Sequence, residues 1–549
     1  MRAAAAALVL LAACGGGHTG TLSPAALPQS RAQRTQYQET STYADVIHFL
    51  DSLGKFNVPM VRTSLGTSTE GRAIPMVILS RPLVRTPQEA RALGRPVVWV
   101  QANIHAGEVE GKEAMLAMIR DLTTADQPSL LDSIVLIAVP IYNTDGNEKF
   151  AVQSVNRTEQ NGPEMVGQRP NGQGLDLNRD YVKMETPETR ASLAAMTLWD
   201  PDVFMDLHTT DGSFHGYALT YAPSLSPDAL FGGKYARDSL LPAVRRAMQD
   251  KHQYATYDYG NFAVEYGADV NADTVKQGWF TYDSRPRFGT NYVGVRGRIA
   301  VLAEGYSHDP FERRVNSMYW FVREVLTYVA EHATTIHDLS AHADAMVTAW
   351  GKVPESSPQL SLRSTLARAP LDDTVLAEDL AKTTDTARTQ PGVPIGLRRT
   401  GHIRAQRMPV WVTFEPTLTR ALPFAYAIPS ADTAAIRVLK AHGVQTRNVV
   451  KPWTVRAQLY ALDSVKHAER PFQGHHETSV VGRWRDTTLT LPAGTTVAYT
   501  AQPLGLVAFY LLEAESDDGL VTWNFFDASL APGGFFPVVR IPAAHAAGD

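Results

Sequence analysis

A mixed, mostly parallel β-sheet with α-helices on both faces, followed by a smaller β-rich C-terminal domain, is the α/β architecture that the sequence predicts. Three observations point to it. Short apolar runs without alternation recur between Pro75 and Leu302, the pattern of strands buried on both faces. Between them lie stretches whose apolar residues repeat every three or four positions, one face of a helix. Beyond about residue 400 that texture stops, and short strand-like runs are split by turn signals.

The runs come in order. Pro75-Met76-Val77-Ile78-Leu79 is the first, and Val97-Val98-Trp99-Val100 the second. Ile134 to Val139 is the third, bounded by Asp132-Ser133 and Pro140; Val203-Phe204-Met205 and Ile299 to Leu302 complete the set. Met115, Met118, Ile119 and Leu122 fall on one helical face, as do Val315, Met318, Tyr319, Val322 and Leu326. Both stripes are read as core packing. Alternation of the two element types implies a sheet covered on both sides. The domain read from this pattern spans residues 36–345. Residues 346–400, polar and Pro-rich from Val353 to Gly396, read as a connecting segment, and 401–549 as the β-rich domain. Strands are expected there at Thr487–Leu491, Val497–Thr500, Leu506–Leu512, Val521–Phe525 and Val538–Ile541.

The chain has 549 residues, 44% apolar and 19% charged, which is ordinary globular composition and long enough for more than one core. A formal net charge of −5 argues against nucleic acid as a partner. At the N-terminus, Met1-Arg2 precedes an apolar run, Ala3 to Ala13, too short to remain as a membrane span. It ends in Leu11-Ala12-Ala13-Cys14, which resembles a bacterial lipobox, whose cysteine becomes the lipidated first residue. Cys14 is the single cysteine, consistent with export to an oxidising compartment. These features predict a signal peptide at 1–14 and a flexible tether at 15–35. They also predict an exported protein, periplasmic or tethered to the outer membrane by lipid on Cys14, without a transmembrane span.

The chemistry is concentrated where apolar runs end. Asn103-Ile104-His105-Ala106-Gly107-Glu108 follows the run at Val97–Val100, and ligand sites in open α/β sheets lie beyond the carboxyl ends of strands. A histidine nitrogen and a carboxylate oxygen three residues apart can share one Zn²⁺. With sixteen histidines in the chain, one His-x-x-Glu is weak by itself. His208, in Asp206-Leu207-His208-Thr209, stands in the same position after another run. Two histidines and a glutamate leave one coordination position open, the catalytic rather than the structural zinc arrangement. Glu304, in Ala303-Glu304-Gly305-Tyr306, also closes an apolar run. A carboxylate there is either a general base or half of a buried ion pair. His475-His476 is read as surface, and His215 and His308 as residues near the site.

Together these residues resemble the zinc carboxypeptidases, the carboxypeptidase A-like metallopeptidases. Six features follow that family's order: Leu65 to Arg72, His105-Ala106-Gly107-Glu108, Asn143-Thr144-Asp145-Gly146, Asp176-Leu177-Asn178-Arg179, His208 and Glu304. Thr144 stands where the family usually has proline. The resemblance covers about Tyr37 to Leu339. It implies one Zn²⁺ held by His105, Glu108 and His208, with Glu304 as base. It implies that Asn178 and Arg179 bind the terminal carboxylate of a peptide substrate and that Asp176 orients a ligating histidine. It also calls for an arginine near the scissile carbonyl, where Arg169 is preferred and Arg157 is the alternative substrate contact. A tyrosine upstream of the base is Tyr282, or alternatively Tyr292. Asp180, beside Arg179, would weaken attraction for an anion unless it points away. The activity implied is metallocarboxypeptidase hydrolysis. The alternatives are an amidase acting on cell-wall peptides or N-acyl amino acids, and a non-catalytic binding lipoprotein on the same scaffold.

Overall fold

The computed structural model describes residues 27–125, 128–263, 278–384, 392–393 and 395–543. The expected signal peptide, Cys14 with its lipid, and most of the expected tether lie outside the described residues. The last part of that tether is structured: Arg31–Arg34 forms one helical turn capped by Ser30, with Ala32 buried against the main core.

Eight strands make the central sheet: β1 (Met60–Thr67), β2 (Ala73–Leu79), β3 (Val97–Ala102), β4 (Val135–Val139), β5 (Val203–Thr209), β6 (Leu219–Pro223), β7 (Thr256–Asp258) and β8 (Ile299–Gly305). Their spatial order is β1-β2-β4-β3-β5-β8-β6-β7. The four in the middle, β4, β3, β5 and β8, run parallel, and antiparallel pairings flank them. Every residue of β3, β4, β5 and β8 is buried, which is why these segments read as continuous apolar runs.

Alternate side chains of those strands feed two cores. Val98, Val100, Met205 and Val301 face helices α1 (Glu110–Thr124) and α3 (Phe311–Glu331). The stripe Met115, Met118, Ile119 and Leu122 is buried there, as are Val315, Met318, Val322 and Leu326. Trp99, Ile137, Phe204 and Ala300 face the other way, onto α2 (Pro187–Trp199), whose Leu193 and Met196 pack beneath them. That second core does not stop at the sheet. It continues through Trp350 into Tyr426, Leu462, Phe509 and Trp523 of the C-terminal part.

The C-terminal part is β-rich, with a six-stranded sheet and two two-stranded ladders. Three expectations fail within it. The supposed connecting segment contains the strands Gln359–Ala367 and Asp373–Lys382, each in an antiparallel pair. Leu360, Leu362, Val375 and Ala377 are buried, but Ser361, Arg363, Thr374 and Glu378 stand among them, so average composition resembles a linker. Leu506–Leu512 is not a strand but lies in the helix Gly505–Leu512, buried on all sides, where periodicity gives no warning. Val521–Phe525 forms turns. No helix among the described residues is long and apolar enough to cross a membrane.

One buried polar bridge ties the parts together. His442 receives a hydrogen bond from the Tyr292 hydroxyl at 2.7 Å and its Nε2 donates to the Val182 carbonyl at 2.8 Å. Burial pushes this imidazole from 6.5 down to about 4, so it stays neutral in the fold. The unfolded chain binds a proton there below pH 6.5 and the native one does not. Stability is therefore complete above that pH and is lost as pH falls towards 4, by roughly 3 kcal/mol from this group. Thermal unfolding between pH 7 and 4.5 should show a smaller fall for His442→Gln than for the parent; equal falls would exclude this source.

Candidate metal centre

Three neighbouring parallel strands deliver the site. β3 leaves the sheet at Ala102, and Asn103 turns the chain with a φ of +65°, a left-handed conformation that asparagine tolerates. Its Nδ2 donates to the carbonyls of Ala106 and Glu108, both at 3.2 Å, closing the turn that presents His105 and Glu108. Gly107 is required there: a Cβ would come within 2.7 Å of Arg157 Cγ and 2.9 Å of the Gly167 carbonyl. His208 lies on β5 and Glu304 on β8, paired in register across the two strands. Asn143 bridges the rim, its Nδ2 donating to the Ile104 and Arg169 carbonyls at 3.2 and 3.1 Å.

Among the described residues, His105, Glu108 and His208 form the group with donor atoms suited to a metal, all within 4.8 Å of one another. His105 Nε2 sits 3.0 Å from Asp176 Oδ1, and His208 Nε2 3.2 Å from Asp206 Oδ2. Protons on the Nε2 atoms, facing carboxylates, leave each Nδ1 with a lone pair. Those two Nδ1 atoms are 3.2 Å apart, and Glu108 offers Oε1 to one at 3.0 Å and Oε2 to the other at 2.9 Å. Two lone pairs and a carboxylate crowded in a buried space repel unless a cation lies among them. Two imidazoles and one carboxylate, opening on a pocket, fit a catalytic Zn²⁺.

The charges behind the ligands are arranged to match. Burial would raise the Glu108 carboxyl, but positive charge at the His105 side, whether a ring proton or a bound cation, and the Arg157 guanidinium outweigh it and hold it well below the usual range. Asp176 is likewise held low against burial, by His105, Arg169 and Arg179. Glu304 goes the other way. Burial pushes its carboxyl well above the usual range, and the Glu108 and Asp211 charges add to this against His208 and Arg157. Its Oε2 has no hydrogen-bond partner, so the ion-pair alternative for Glu304 lacks a partner among the described residues.

The pocket in front of this group is lined by His105, Glu108, Arg169, Asn178, Arg179, His208, Thr209, Asp211, Tyr259, Tyr282, Phe288, Leu302 and Glu304. Of the two candidate arginines, Arg169 reaches it; its Nε donates to Asp176 Oδ2 at 3.0 Å and its Nη1 lies 3.5 Å from Glu108 Oε1. Arg157 does not. It is buried behind Glu108, donating to Oε1 at 3.1 Å and to the Thr209 and Thr210 carbonyls at 3.2 and 3.0 Å, so it is no substrate contact. Tyr282 lines the pocket, its hydroxyl 2.8 Å from Thr290 Oγ1, whereas Tyr292 is spent on His442 in the core. Asp180 points away from Arg179, accepting from Lys183 Nζ and from Thr186 backbone and hydroxyl. His215 and His308 are buried and are not pocket-lining; they pack on Tyr306 and Phe214. His475 is not simple surface, since its Nε2 lies 2.8 Å from Glu185.

Asp206, Asp211 and Tyr259 were not singled out from the sequence. Asp206 had a signal: two residues before His208 on a strand, it shares that residue's face. Tyr259 donates to Asp211 at 3.0 Å, a pairing without any sequence mark.

A buried dihistidine–carboxylate group at the carboxyl ends of a parallel sheet is the arrangement of a catalytic zinc centre. Residues 46–291 match the family model described as zinc carboxypeptidase, and the His105, Glu108 and His208 group within that stretch fits one Zn²⁺. Two fungal proteins named carboxypeptidase 2 are similar over most of the chain. The one from Trichophyton tonsurans is 23% identical over 499 residues, 86% of this chain and 81% of its own. The one from Trichophyton rubrum is 22% identical over 518 residues, covering 90% and 85%. A solved metallo-carboxypeptidase from Burkholderia cenocepacia superposes with a TM-score of 0.38 at 18% identity, covering 53% of this chain and 70% of that one.

If Asp206 fixes the His208 ring, Asp206→Asn should lower zinc affinity about 10–100-fold with the fold retained. Chelator competition measures this; parent-like affinity would show that the ring is held by packing alone.

Proposed function

We propose that the protein hydrolyses the C-terminal peptide bond of peptides ending in a free carboxylate, with His105, Glu108 and His208 as metal ligands. One observation carries this reading: the three ligand residues, Glu304, the neutral amide of Asn178 and the guanidinium of Arg179 all open onto a single pocket. When bound, Zn²⁺ supplies Lewis acidity, acidifying water and polarising the scissile carbonyl.

The chain's own groups do the rest. Arg179 offers a planar fork of donors and Asn178 an amide to the substrate's terminal carboxylate, which sets the cleaved bond at the chain end. Glu304 takes the proton from the attacking water. The carboxyl so protonated then delivers that proton to the leaving amine nitrogen. Arg169, at the pocket edge, donates to the oxygen on which negative charge develops. Asp176 and Asp206 keep both imidazoles aimed, and Arg157 holds Glu108 from behind. Tyr282 forms part of the wall over the substrate.

Glu304→Gln should keep zinc and lose activity by a factor of about 10² or more; near-normal turnover would remove Glu304 as base. A peptide with a free C-terminus should be cleaved and its amide spared, whereas equal cleavage would favour the amidase alternative.

We also propose export, with the chain tethered through lipid on Cys14; the support is the Leu11-Ala12-Ala13-Cys14 sequence. Cys14→Ser should move the protein from the membrane fraction to the soluble one; unchanged fractionation would contradict the anchor.

A further inference from the structure

Several side chains of the C-terminal part end directly behind the site, although none of them lines the pocket. The first is Asp518. It is fully buried and accepts from the Arg287 backbone N–H at 2.7 Å and from Arg287 Nε at 2.9 Å, 231 residues away along the chain. Arg287 is otherwise enclosed by C-terminal groups: Glu477 lies 2.8 Å from Nη1, and the guanidinium sits 4.6 Å from the Trp523 ring.

The two residues that follow Arg287 touch the proposed carboxylate-binding pair. The Arg179 guanidinium lies 4.0 Å above the Phe288 ring, and the Gly289 N–H donates to Asn178 Oδ1 at 2.9 Å. The loop at 287–289 is thus anchored on one side by Asp518 and presents Asn178 and Arg179 on the other. A second contact is independent of it. Gln473 Oε1, on a C-terminal turn, accepts from the Asp176 N–H at 2.9 Å, and Asp176 in turn faces His105 Nε2.

We propose that Asp518 and Gln473 are positioning residues of the active site. Asp518 acts through Arg287 on Asn178 and Arg179, and Gln473 acts through Asp176 on His105. The C-terminal part is then a component of the peptidase site, beyond joining the two parts by packing. The inference rests on the reading of Asn178 and Arg179 as carboxylate binders.

The test uses the full-length, zinc-loaded protein and a peptide in free-acid and amidated forms. Asp518→Asn should raise KM for the free-acid peptide at least about tenfold, with kcat within about threefold, and reduce the preference for free acid over amide by the same factor. Gln473→Ala, on a partly exposed turn, should weaken zinc binding about fivefold in chelator competition, one link beyond the groups that contact the ligands. Unchanged KM, preference and zinc affinity in folded variants overturn the proposal. So does a lower melting temperature with KM unchanged, which is the behaviour of simple interdomain packing. If Asp518→Asn does not fold, the zinc affinity of Gln473→Ala decides. Failure of the underlying reading is distinguishable, because the parent itself would then not discriminate free acid from amide.

Discussion

The structure turns on two imidazole nitrogens held 3.2 Å apart with their lone pairs facing one another. Nothing in a buried protein interior favours that arrangement without a cation, so the surrounding structure must enforce it. Asp176 holds the far side of the His105 ring, the Asp206 carboxylate lies 3.2 Å from that of His208, and Glu108 spans the gap between the two rings. The parallel register of β3, β5 and β8 puts the backbones in place before any side chain is considered. Only a strand order that sets the three carboxyl ends side by side lets residues 105, 208 and 304 share a pocket.

Glu108 and Glu304 show how two carboxylates in one pocket can be driven apart in acidity. Both are buried. Glu108 has two imidazoles and the Arg157 guanidinium against its oxygens and stays charged. Glu304 has an unpartnered oxygen and two acids nearby and favours its proton. The difference comes from neighbours rather than from depth, the pattern expected where one carboxylate binds metal and another handles protons.

Much of this was legible in the sequence. The central strands are buried on both faces and therefore read as apolar runs, and the ligands sit at the ends of those runs. What the sequence hid follows physical rules as well. Leu506–Leu512 is a helix buried on every side, so it lacks the polar face that marks helical period. The strands at 359–367 and 373–382 mix buried apolar residues with polar ones, and their mean composition mimics a linker. The choice between Arg157 and Arg169 depended on which guanidinium faces the pocket. Spacing cannot report that; the Glu108 carboxylate and the Thr209 and Thr210 carbonyls, which take up the Arg157 guanidinium, decide it. Asp518 and Gln473 gave no signal because their partners are hundreds of positions away.

The hydrophobic interior that starts beneath Trp99 and Phe204 runs unbroken to Phe509 and Trp523. A protein built this way has no seam along which to divide. Cutting the gene after the helix Ala333–Lys352 would leave α2 on that face but bare the part of the core that Tyr426, Leu462, Phe509 and Trp523 now continue, an apolar surface left in water. The metal-bearing half and its β-rich companion are, in that sense, obliged to fold as one body, and recombination between relatives would have to exchange both or neither.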